Sequence, residues 1–262
     1  MLNQAHNKIR LSVAIITFNE ERKLADTLRA VHVFADEIVI VDSFSEDETV
    51  SIAKSFGAKV IQKKWEGFSI QKNFLLEHCH GDWVLLIDAD EVLDSRLIDE
   101  INFEVLDNAD PAEVYELVFR SYCFGYPIKY GGWSGFHKIR LFKRGWVTFG
   151  GELVHERFIV REGARTKKLL SPIHHYTYSD MEECIDKYNR YSSAGARDLM
   201  SKGKRPSILK LFLAPMAVFI KRYFLKLGFL DGIMGFILAV YMAGYDFAKY
   251  AKLFSLMNYK KY

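Results

Sequence analysis

Short apolar runs alternate with segments of helical periodicity over the first hundred residues of the chain. Runs rich in β-branched residues predict strands, and apolar positions spaced by three and four predict helices. Such alternation is typical of a parallel sheet with right-handed crossovers and helices on its faces. The predicted strands are Leu11–Thr17, Glu37–Val41, Lys59–Gln62 and Trp83–Ile87, and the predicted helices are Glu20–Val33, Glu48–Phe56, Ser69–Cys79 and Ser95–Glu104.

The pattern changes twice in the rest of the chain. From Val114 to Tyr178, alternating segments rich in Tyr, Phe, Trp and Gly predict a mixed or antiparallel extension of the sheet. After Ser179 the periodicity is helical, and Pro215 is expected to kink or delay one of the helices. We therefore predict an α/β domain over residues 1–178 and an amphipathic helical extension over residues 179–262. The predicted helices of the extension are Asp180–Lys202, Ser207–Lys226 and about Leu230–Met257.

Polar side chains follow three of the predicted strands. Thr17, Asn19 and Glu20 follow the first strand, Asp42 follows the second, and the acidic segment 88–91 follows the fourth. Ligands of parallel sheets bind beyond the carboxyl ends of the strands. These side chains are therefore expected to border one pocket. The alternatives are that Asn19 is the N-cap of the helix beginning near Glu20 and that Asp42 is an Asx-turn residue.

Asp88 and Asp90 are two residues apart at the end of a fully apolar strand. If the chain is still extended there, both carboxylates point to the same side and repel each other unless a cation lies between them. A divalent ion holding a diphosphate meets that demand, since Mg²⁺ takes one or two carboxylates plus phosphate oxygens and water. Asp is also common in solvated turns, so the triplet alone leaves both interpretations open.

The composition is that of a folded, intracellular protein. Of the 262 residues, 50% are hydrophobic and only 5 are Pro, which excludes low-complexity and fibrous repeats. The three cysteines, Cys79, Cys123 and Cys184, are far apart and predict no disulfide framework, which favours the cytosol. The polar start of the chain predicts no secretory signal.

Charge is distributed unevenly along the chain. Residues 202–262 carry 11 Lys and Arg against 2 Asp, whereas residues 1–201 carry 25 Lys and Arg against 31 Asp and Glu. The aromatic and aliphatic residues between these basic positions favour an anionic membrane surface, and not nucleic acid, as the partner. The longest uncharged stretch, Gly232–Tyr245, has 14 residues, whereas about 20 are needed to span a bilayer. We expect these helices to lie on the membrane; packing on the rest of the chain or on a second subunit is the alternative.

Several segments in combination resemble the family 2 inverting glycosyltransferases of GT-A fold, and most closely the branch of bacterial lipopolysaccharide-core β-glucosyltransferases. The likeness runs nearly from end to end. The segments that carry it are Thr17-Phe18-Asn19-Glu20, Val41-Asp42-Ser43, Gly67-Phe68-x-x-Gln71-Lys72-Asn73, Leu86-Ile87-Asp88-Ala89-Asp90-Glu91, Leu153-Val154-His155-Glu156, His175-Tyr176-x-Tyr178 and Gly228-Phe229-Leu230-Asp231-Gly232.

The resemblance implies a fold and a set of roles. The fold would be a Rossmann-like mixed sheet flanked by helices, and the cofactor would be Mg²⁺ or Mn²⁺. The implied roles are nucleoside contacts for Thr17, Asn19 and Glu20, the uracil imide for Asp42, the ribose or diphosphate for Asp88, the metal for Asp90, and the diphosphate for Lys72. From the residues alone, Lys72 is equally well an exposed helix lysine.

Single-displacement transfer also needs a carboxylate base for the acceptor hydroxyl. Glu156 is the candidate, with His155 beside it as a metal ligand or diphosphate contact, and Glu91 is the alternative base. His174 or His175 would either complete the metal coordination or be a core histidine.

The aromatic segment between Tyr122 and Trp146 offers possible acceptor contacts. Tyr130 and Trp133 flank a glycine turn and are candidates for stacking on a sugar, whereas the other rings suit a core. Arg140 is a candidate for an acceptor phosphate or for an exposed rim.

The predicted function is transfer of a hexose, with inversion, by a cytoplasmic enzyme associated peripherally with the inner membrane. The expected donor is a UDP-sugar such as UDP-glucose, and the expected acceptor is a lipid-linked saccharide such as the inner-core heptose of lipopolysaccharide. A polyprenyl-phosphate or peptide acceptor is one alternative, and a membrane-docked nucleotide- or sugar-binding scaffold without turnover is another. A dehydrogenase is disfavoured because no G-x-G-x-x-G follows the first strand.

Overall fold

The structure, a computed structural model, describes residues 9–151 and 156–258, and of residues 156 and 258 only the backbone. The chain divides into two compact units. The first comprises the described residues of Met1–Phe119 and His137–His175, and the second those of Arg120–Phe136 and Tyr176–Tyr262.

The first unit is built on a parallel sheet, as predicted. Its strands run in the order β3-β2-β1-β4, and all their pairings are parallel. The strands are β1 (Leu11–Thr17), β2 (Glu37–Asp42), β3 (Lys59–Gln62) and β4 (Trp83–Asp88), and the helices are α1 (Leu24–Val31), α2 (Thr49–Ser55), α3 (Phe68–Glu77) and α4 (Ser95–Ile101), which a π-helical turn (Asn102–Leu106) follows. β1 and β4 are buried over nearly their whole length, as expected of strands with both faces covered.

The predicted antiparallel extension is also present, so the fold is the expected mixed α/β sheet flanked by helices. Beyond β4 the order continues β8-β6-β11-β5, with β7 paired to β6 and a separate β9-β10 ladder. β8 pairs antiparallel with both β4 and β6. The strands are β5 (Glu91–Val92), β6 (Val114–Cys123), β7 (Tyr126–Ile128), β8 (His137–Lys143), β9 (Val147–Gly151), β10 (Glu156–Val160) and β11 (Thr166–Tyr178).

The second unit is mainly helical and contains β7 together with the ends of β6 and β11. Its helices are α5 (Met181–Ser201), α6 (Ile208–Ile220) and α7 (Gly232–Asn258), with a π-helical turn (Lys221–Leu225) and a 3-10 turn (Gly228–Asp231) between the last two. Side chains of Asp180 and Ser207 accept hydrogen bonds from the first turns of α5 and α6. α6 continues through Pro215.

Helix α6 exposes many apolar side chains, and the segment that follows it is also apolar. No residue of α6 is buried, and its exposed side chains include Leu209, Phe212 and Met216. Segment Gly228–Met257 is long and apolar enough, by length and composition, to cross a membrane. The prediction that these helices lie on a membrane surface stays a prediction.

Candidate active site

The parallel register brings the carboxyl ends of three strands to one edge of the sheet. Thr17 at the end of β1 lies opposite Asp42 at the end of β2. On the other side, Ile16 lies opposite Asp88 at the end of β4. The polar side chains that the sequence analysis grouped together therefore follow neighbouring strands.

Asp88 lies between two cations. Its Oδ2 accepts a hydrogen bond from Nη2 of Arg140 at 2.7 Å, and its Oδ1 lies 3.8 Å from Nζ of Lys72. Burial by itself would raise the pKa of Asp88, but the positive charges of Arg140 and Lys72 outweigh it and hold the pKa well below its usual range. Asp88 is therefore an ionised group whose orientation is set by its protein partners.

Glu91 is enclosed by the same network. Its side chain is only 1% exposed. Arg140 donates from Nη2 to Oε1 at 2.5 Å and from Nε to Oε2 at 3.0 Å, and the backbone N–H of Asp88 donates to Oε2 at 3.1 Å. Burial raises the pKa of Glu91 above its usual range, against the opposing charge of Arg140. Through these contacts Glu91 holds the side chain of Arg140 and the backbone of Asp88 in place.

Arg140 was expected at an acceptor phosphate or on an exposed rim. The rim interpretation is wrong, since its side chain is 2% exposed and its guanidinium carbon lies 5.3 Å from the ring centroid of Phe119. The reason is that β8 pairs with both β4 and β6, which places Arg140 inside the sheet. The sequence signal for the ion pairing of Arg140 was the acidic segment 88–91 itself, because buried carboxylates require a compensating cation from elsewhere in the chain.

Lys72 reaches the same end of the site from α3. Its side chain is 3% exposed, which excludes the interpretation as an exposed helix lysine. The Nζ atom lies 5.9 Å from the ring centroid of Phe68 and 5.6 Å from that of Phe149. The ammonium group of Lys72 thus lies near both rings and near the carboxylate of Asp88.

Asp90 has a different partner from Asp88. The Nε2 atom of His175 lies 3.6 Å from Oδ1 of Asp90. Burial would lower the pKa of His175, but the contact with Asp90 and the nearby carboxylates outweigh it and raise the pKa. The neighbouring His174 instead contacts Asp94 at 3.3 Å, because successive side chains of β11 point to opposite faces.

The pairing of Asp90 with His175 suits a divalent cation that is shared with a substrate. Among the residues that the structure describes, no group of three or more His, Cys, Asp or Glu side chains is arranged to hold a metal ion. Mg²⁺ usually keeps few protein ligands and completes its coordination with phosphate oxygens and water. A carboxylate and an imidazole fit an ion that binds together with a diphosphate.

Asp42 is completely buried and anchors the loop after β2. Its Oδ1 accepts from Oγ1 of Thr17 at 2.9 Å and from Oγ of Ser45 at 2.5 Å, and its Oδ2 accepts from the backbone N–H of Ser45 at 2.8 Å. Both carboxylate oxygens therefore have protein partners. Contact between Asp42 and a uracil ring stays a prediction.

Asn19 and Glu20 join the loops after β1 and β2. Asn19 has a φ of 54°, in the left-handed region that Asn tolerates. Its N–H donates to Oγ of Ser45, and its Oδ1 accepts from the N–H of Glu46, both at 2.9 Å. The N–H of Glu20 donates to Oγ1 of Thr49 at 2.7 Å. The two loops therefore form one connected rim at the strand ends.

Lys138 is a further cation that the sequence analysis did not single out. It lies on β8, two residues before Arg140, at which the register of the β6–β8 ladder shifts. Its Nζ is 5.4 Å from the ring centroid of Phe119, the ring that Arg140 also contacts. Lys138 is exposed, whereas Lys72 and Arg140 are buried. It is therefore the accessible cation of this group of three.

His155 lies outside the described residues, and Glu156 is described only as the first backbone position of β10. The β9–β10 ladder pairs Glu156 with Gly151. Helix α3 holds β9 through Asn73, which exchanges hydrogen bonds of 2.7 and 2.8 Å with the backbone of Phe149. The roles of His155 and Glu156 stay predictions.

Comparison with known proteins identifies the family of the chain. Residues 12–149 match the sequence profile of Glycosyl transferase family 2. An uncharacterised glycosyltransferase of Rickettsia typhi is 34% identical over 93% of this chain and 86% of its own length. The lipopolysaccharide core biosynthesis glycosyltransferase LpsC of Rhizobium meliloti is 35% identical over 94% of this chain and 93% of its own.

Solved structures are more distant in sequence. The crystal structure of Staphylococcus aureus TarS, residues 1–349, is 14% identical and covers 97% of this chain and 93% of that one with a TM-score of 0.48. The match to the family profile spans more than half of the chain, and the relatives match nearly all of it. The chain belongs to glycosyltransferase family 2.

Proposed function

We propose that the protein transfers a hexose, with inversion, from a UDP-sugar to a lipid-linked saccharide of the lipopolysaccharide core. UDP-glucose is the proposed donor. The resemblance to LpsC of Rhizobium meliloti supports the choice of pathway, because it extends over nearly the whole length of both chains. Donor, acceptor and stereochemistry are the proposed parts of this function.

The observation that carries the proposal is the group of charges at the end of β4. Three carboxylates, Asp88, Asp90 and Glu91, lie among the cationic side chains of Lys72, Lys138, Arg140 and His175. In such a site the protein cations offset the carboxylates, so that a trianionic nucleoside diphosphate is not repelled. Lys138, which is exposed, and Lys72 are the proposed contacts of the diphosphate.

Asp90 and His175 are the proposed metal ligands, with His155 as a further candidate. A bound Mg²⁺ or Mn²⁺ would supply Lewis-acid stabilisation of the departing diphosphate. The chain itself holds Asp88 in a fixed orientation through Arg140, which is the preorganisation that electrostatic catalysis requires.

Glu156 is the proposed general base, which takes the proton from the acceptor hydroxyl as that oxygen attacks the anomeric carbon. A base must reach the acceptor on the face opposite the leaving group. Glu91 suits this task less well, because its carboxylate is buried and bound at both oxygens. We propose that Glu91 is a positioning residue instead.

The proposed site of action is the cytoplasmic surface of the inner membrane. Exposed apolar residues of α6 and the Lys and Arg excess of the last 61 residues support binding to an anionic surface. A lipid-linked acceptor would be presented at that surface.

A donor screen tests the proposed function. Release of UDP is measured from UDP-glucose, UDP-galactose and other UDP-sugars, in the presence of de-O-acylated core glycolipid and Mn²⁺. We expect turnover with one UDP-hexose and formation of a β-linkage from an α-linked donor, as read by the anomeric NMR signals of the product. Retention of the α-configuration would contradict inversion, and absence of turnover with every UDP-sugar would contradict the choice of donor.

A second assay tests the base. Glu156→Gln is expected to lower kcat by about 10² or more, since it removes proton transfer, and to leave the Kd of UDP unchanged. Full activity of Glu156→Gln would refute the assignment. Glu91→Gln serves as the comparison, because loss of activity there with weaker UDP binding is the expected result for a positioning residue.

A further inference from the structure

The second unit contains a cavity of about 500 Å³ that no step of the proposed transfer uses. Its walls are the segment Tyr126–Tyr130 on one side and Leu230, Asp231 and Met234 on the other. Binding sites for small ligands usually measure about 300–1,000 Å³. The cavity is therefore large enough for one or two sugar rings.

Asp231 is the polar centre of this cavity. Its Oδ1 accepts from the backbone N–H of Lys129 at 3.2 Å and its Oδ2 from that of Tyr130 at 2.8 Å. Within residues 9–151 and 156–258, no Lys, Arg or His side chain forms an ion pair with Asp231. Each carboxylate oxygen has a second lone pair. Asp231 can therefore accept hydrogen bonds from ligand hydroxyl groups while it holds the turn.

Two tyrosines supply the apolar surface. The residues Tyr126 and Tyr130 are 57% and 36% exposed, although each carries a large ring. The carbon-bound hydrogens of a sugar ring pack on such a ring face, and the phenol hydroxyl offers a further hydrogen bond. Aromatic residues next to a carboxylate acceptor favour a hydroxyl-rich ligand.

The shape of the cavity depends on the glycine-containing motif that the sequence analysis singled out at residues 228–232. A β-carbon on Gly228 would lie 2.6 Å from the carbonyl oxygen of Arg222, and one on Gly235 would collide with the carbonyl oxygen of Gly228. These close approaches allow the 3-10 turn to pack on the start of α7. The packing fixes Asp231 at the cavity wall.

We propose that this cavity is a saccharide-binding subsite that holds a sugar ring of the acceptor glycan. The inference rests on the proposed function only in taking the acceptor to be a saccharide. The residues of the cavity belong to the second unit, whereas the residues proposed for the UDP-sugar belong to the first. The two sites are therefore separable by mutation.

The test measures glycan binding in the absence of donor. The probe is the dephosphorylated oligosaccharide released from lipopolysaccharide core by mild acid, titrated by saturation-transfer NMR. We expect Tyr126→Ala and Tyr130→Ala each to raise its Kd at least fivefold, and Asp231→Asn to do the same. Tyr191→Ala is the matched control, because Tyr191 is an exposed tyrosine of the same unit outside the cavity. The control should bind like the unaltered protein.

Titration with UDP accompanies each variant and reports on the donor site, and the thermal unfolding midpoint of each variant reports on folding. An unchanged Kd for UDP with weaker glycan binding is the expected result. Equal glycan affinity in all variants, or no saturable binding to the unaltered protein, would overturn the proposal while leaving the UDP-sugar site intact. The proposal would also be overturned if the Tyr126 and Tyr130 variants kept their glycan affinity but no longer bound phosphatidylglycerol vesicles. That result would assign the cavity to lipid.

Discussion

Arg140 and Glu91 form a two-point ion pair in the interior of the first unit, with Nη2–Oε1 and Nε–Oε2 distances of 2.5 and 3.0 Å. The same guanidinium also binds Asp88. One buried cation thus fixes two carboxylates of the proposed donor site. The planar fork of Arg is suited to this task, whereas the point charge of Lys is not.

Removal of the Arg140 side chain is expected to destabilise the protein strongly. Arg140→Met leaves the buried Glu91 carboxylate without its main partner, and such a loss costs about 3–5 kcal/mol. Arg140→Lys should recover part of the stability but not the activity, because it cannot bind Glu91 at two points and Asp88 together. Urea unfolding and kcat/KM measure the two effects.

The double variant Arg140→Met/Glu91→Met supplies the control. If the ion pair is the cause, the double variant should be more stable than Arg140→Met alone, since no unpaired charge remains at position 91. Additive losses of stability would contradict the coupling.

Lys72 is expected to act on donor binding. Lys72→Met should raise the Kd of UDP about tenfold or more, because a hydrogen bond to a charged group contributes about 1.5–3 kcal/mol. Isothermal titration measures the change. Lys54→Met, at an exposed lysine of α2, is the matched control and should bind UDP normally. An unchanged Kd in Lys72→Met would remove Lys72 from the diphosphate site.

The adjacent histidines of β11 offer a second matched pair. His175 contacts Asp90, whereas His174 contacts Asp94 on the other face of the strand. UDP binding should tighten on addition of Mn²⁺ in the unaltered protein and in His174→Ala, but not in His175→Ala or Asp90→Ala. Titrations with and without Mn²⁺ check this expectation. Equal responses to Mn²⁺ in both histidine variants would refute the proposed metal ligands.

Glu37 is expected to limit the stability of the protein in acid. Burial would raise its pKa, but hydrogen bonds from Ser12 and His80 outweigh this and lower the pKa below the ordinary value of about 4.5. A carboxyl group whose pKa is lowered by folding stabilises the folded state at pH values above its ordinary pKa. This stabilisation is lost as the pH falls through the pKa of the folded state. Thermal midpoints between pH 6 and pH 3 should fall less steeply in Glu37→Gln. Parallel curves would show that Glu37 contributes nothing.

Membrane binding is expected to depend on both charge and apolar surface. The protein should float with vesicles that contain phosphatidylglycerol, and less so at high salt. Lys210→Glu/Lys221→Glu should weaken binding at least tenfold, since one basic residue near the surface contributes about 1 kcal/mol. Lys167→Glu/Lys168→Glu, at exposed positions of the first unit, is the control. Equal flotation on neutral vesicles would contradict the electrostatic account.

Local sequence patterns were sufficient for the four parallel strands, whereas the strands beyond β4 were predicted only as an antiparallel or mixed extension without individual bounds. β1 and β3 begin and end where they were predicted, and β2 and β4 are each one residue longer. α1 is shorter than predicted, beginning at Leu24 and not at Glu20, because Asn19 and Glu20 instead belong to a loop that is hydrogen-bonded to the loop after β2. Periodicity reports which face of an element is buried, but not how its ends are held.

Strand–helix alternation in the sequence was enough to predict that polar residues end neighbouring parallel strands, since it leaves few other arrangements. Which charges meet depends on contacts that form only when the chain folds. Arg140 and Glu91 are 49 positions apart in the sequence. His175, and not His174, contacts Asp90, because the two histidine side chains lie on opposite faces of β11. Pairing between distant strands sets these contacts. The alternation of residues along a strand specifies which of its faces is buried, but not which residues of a distant strand lie beside it.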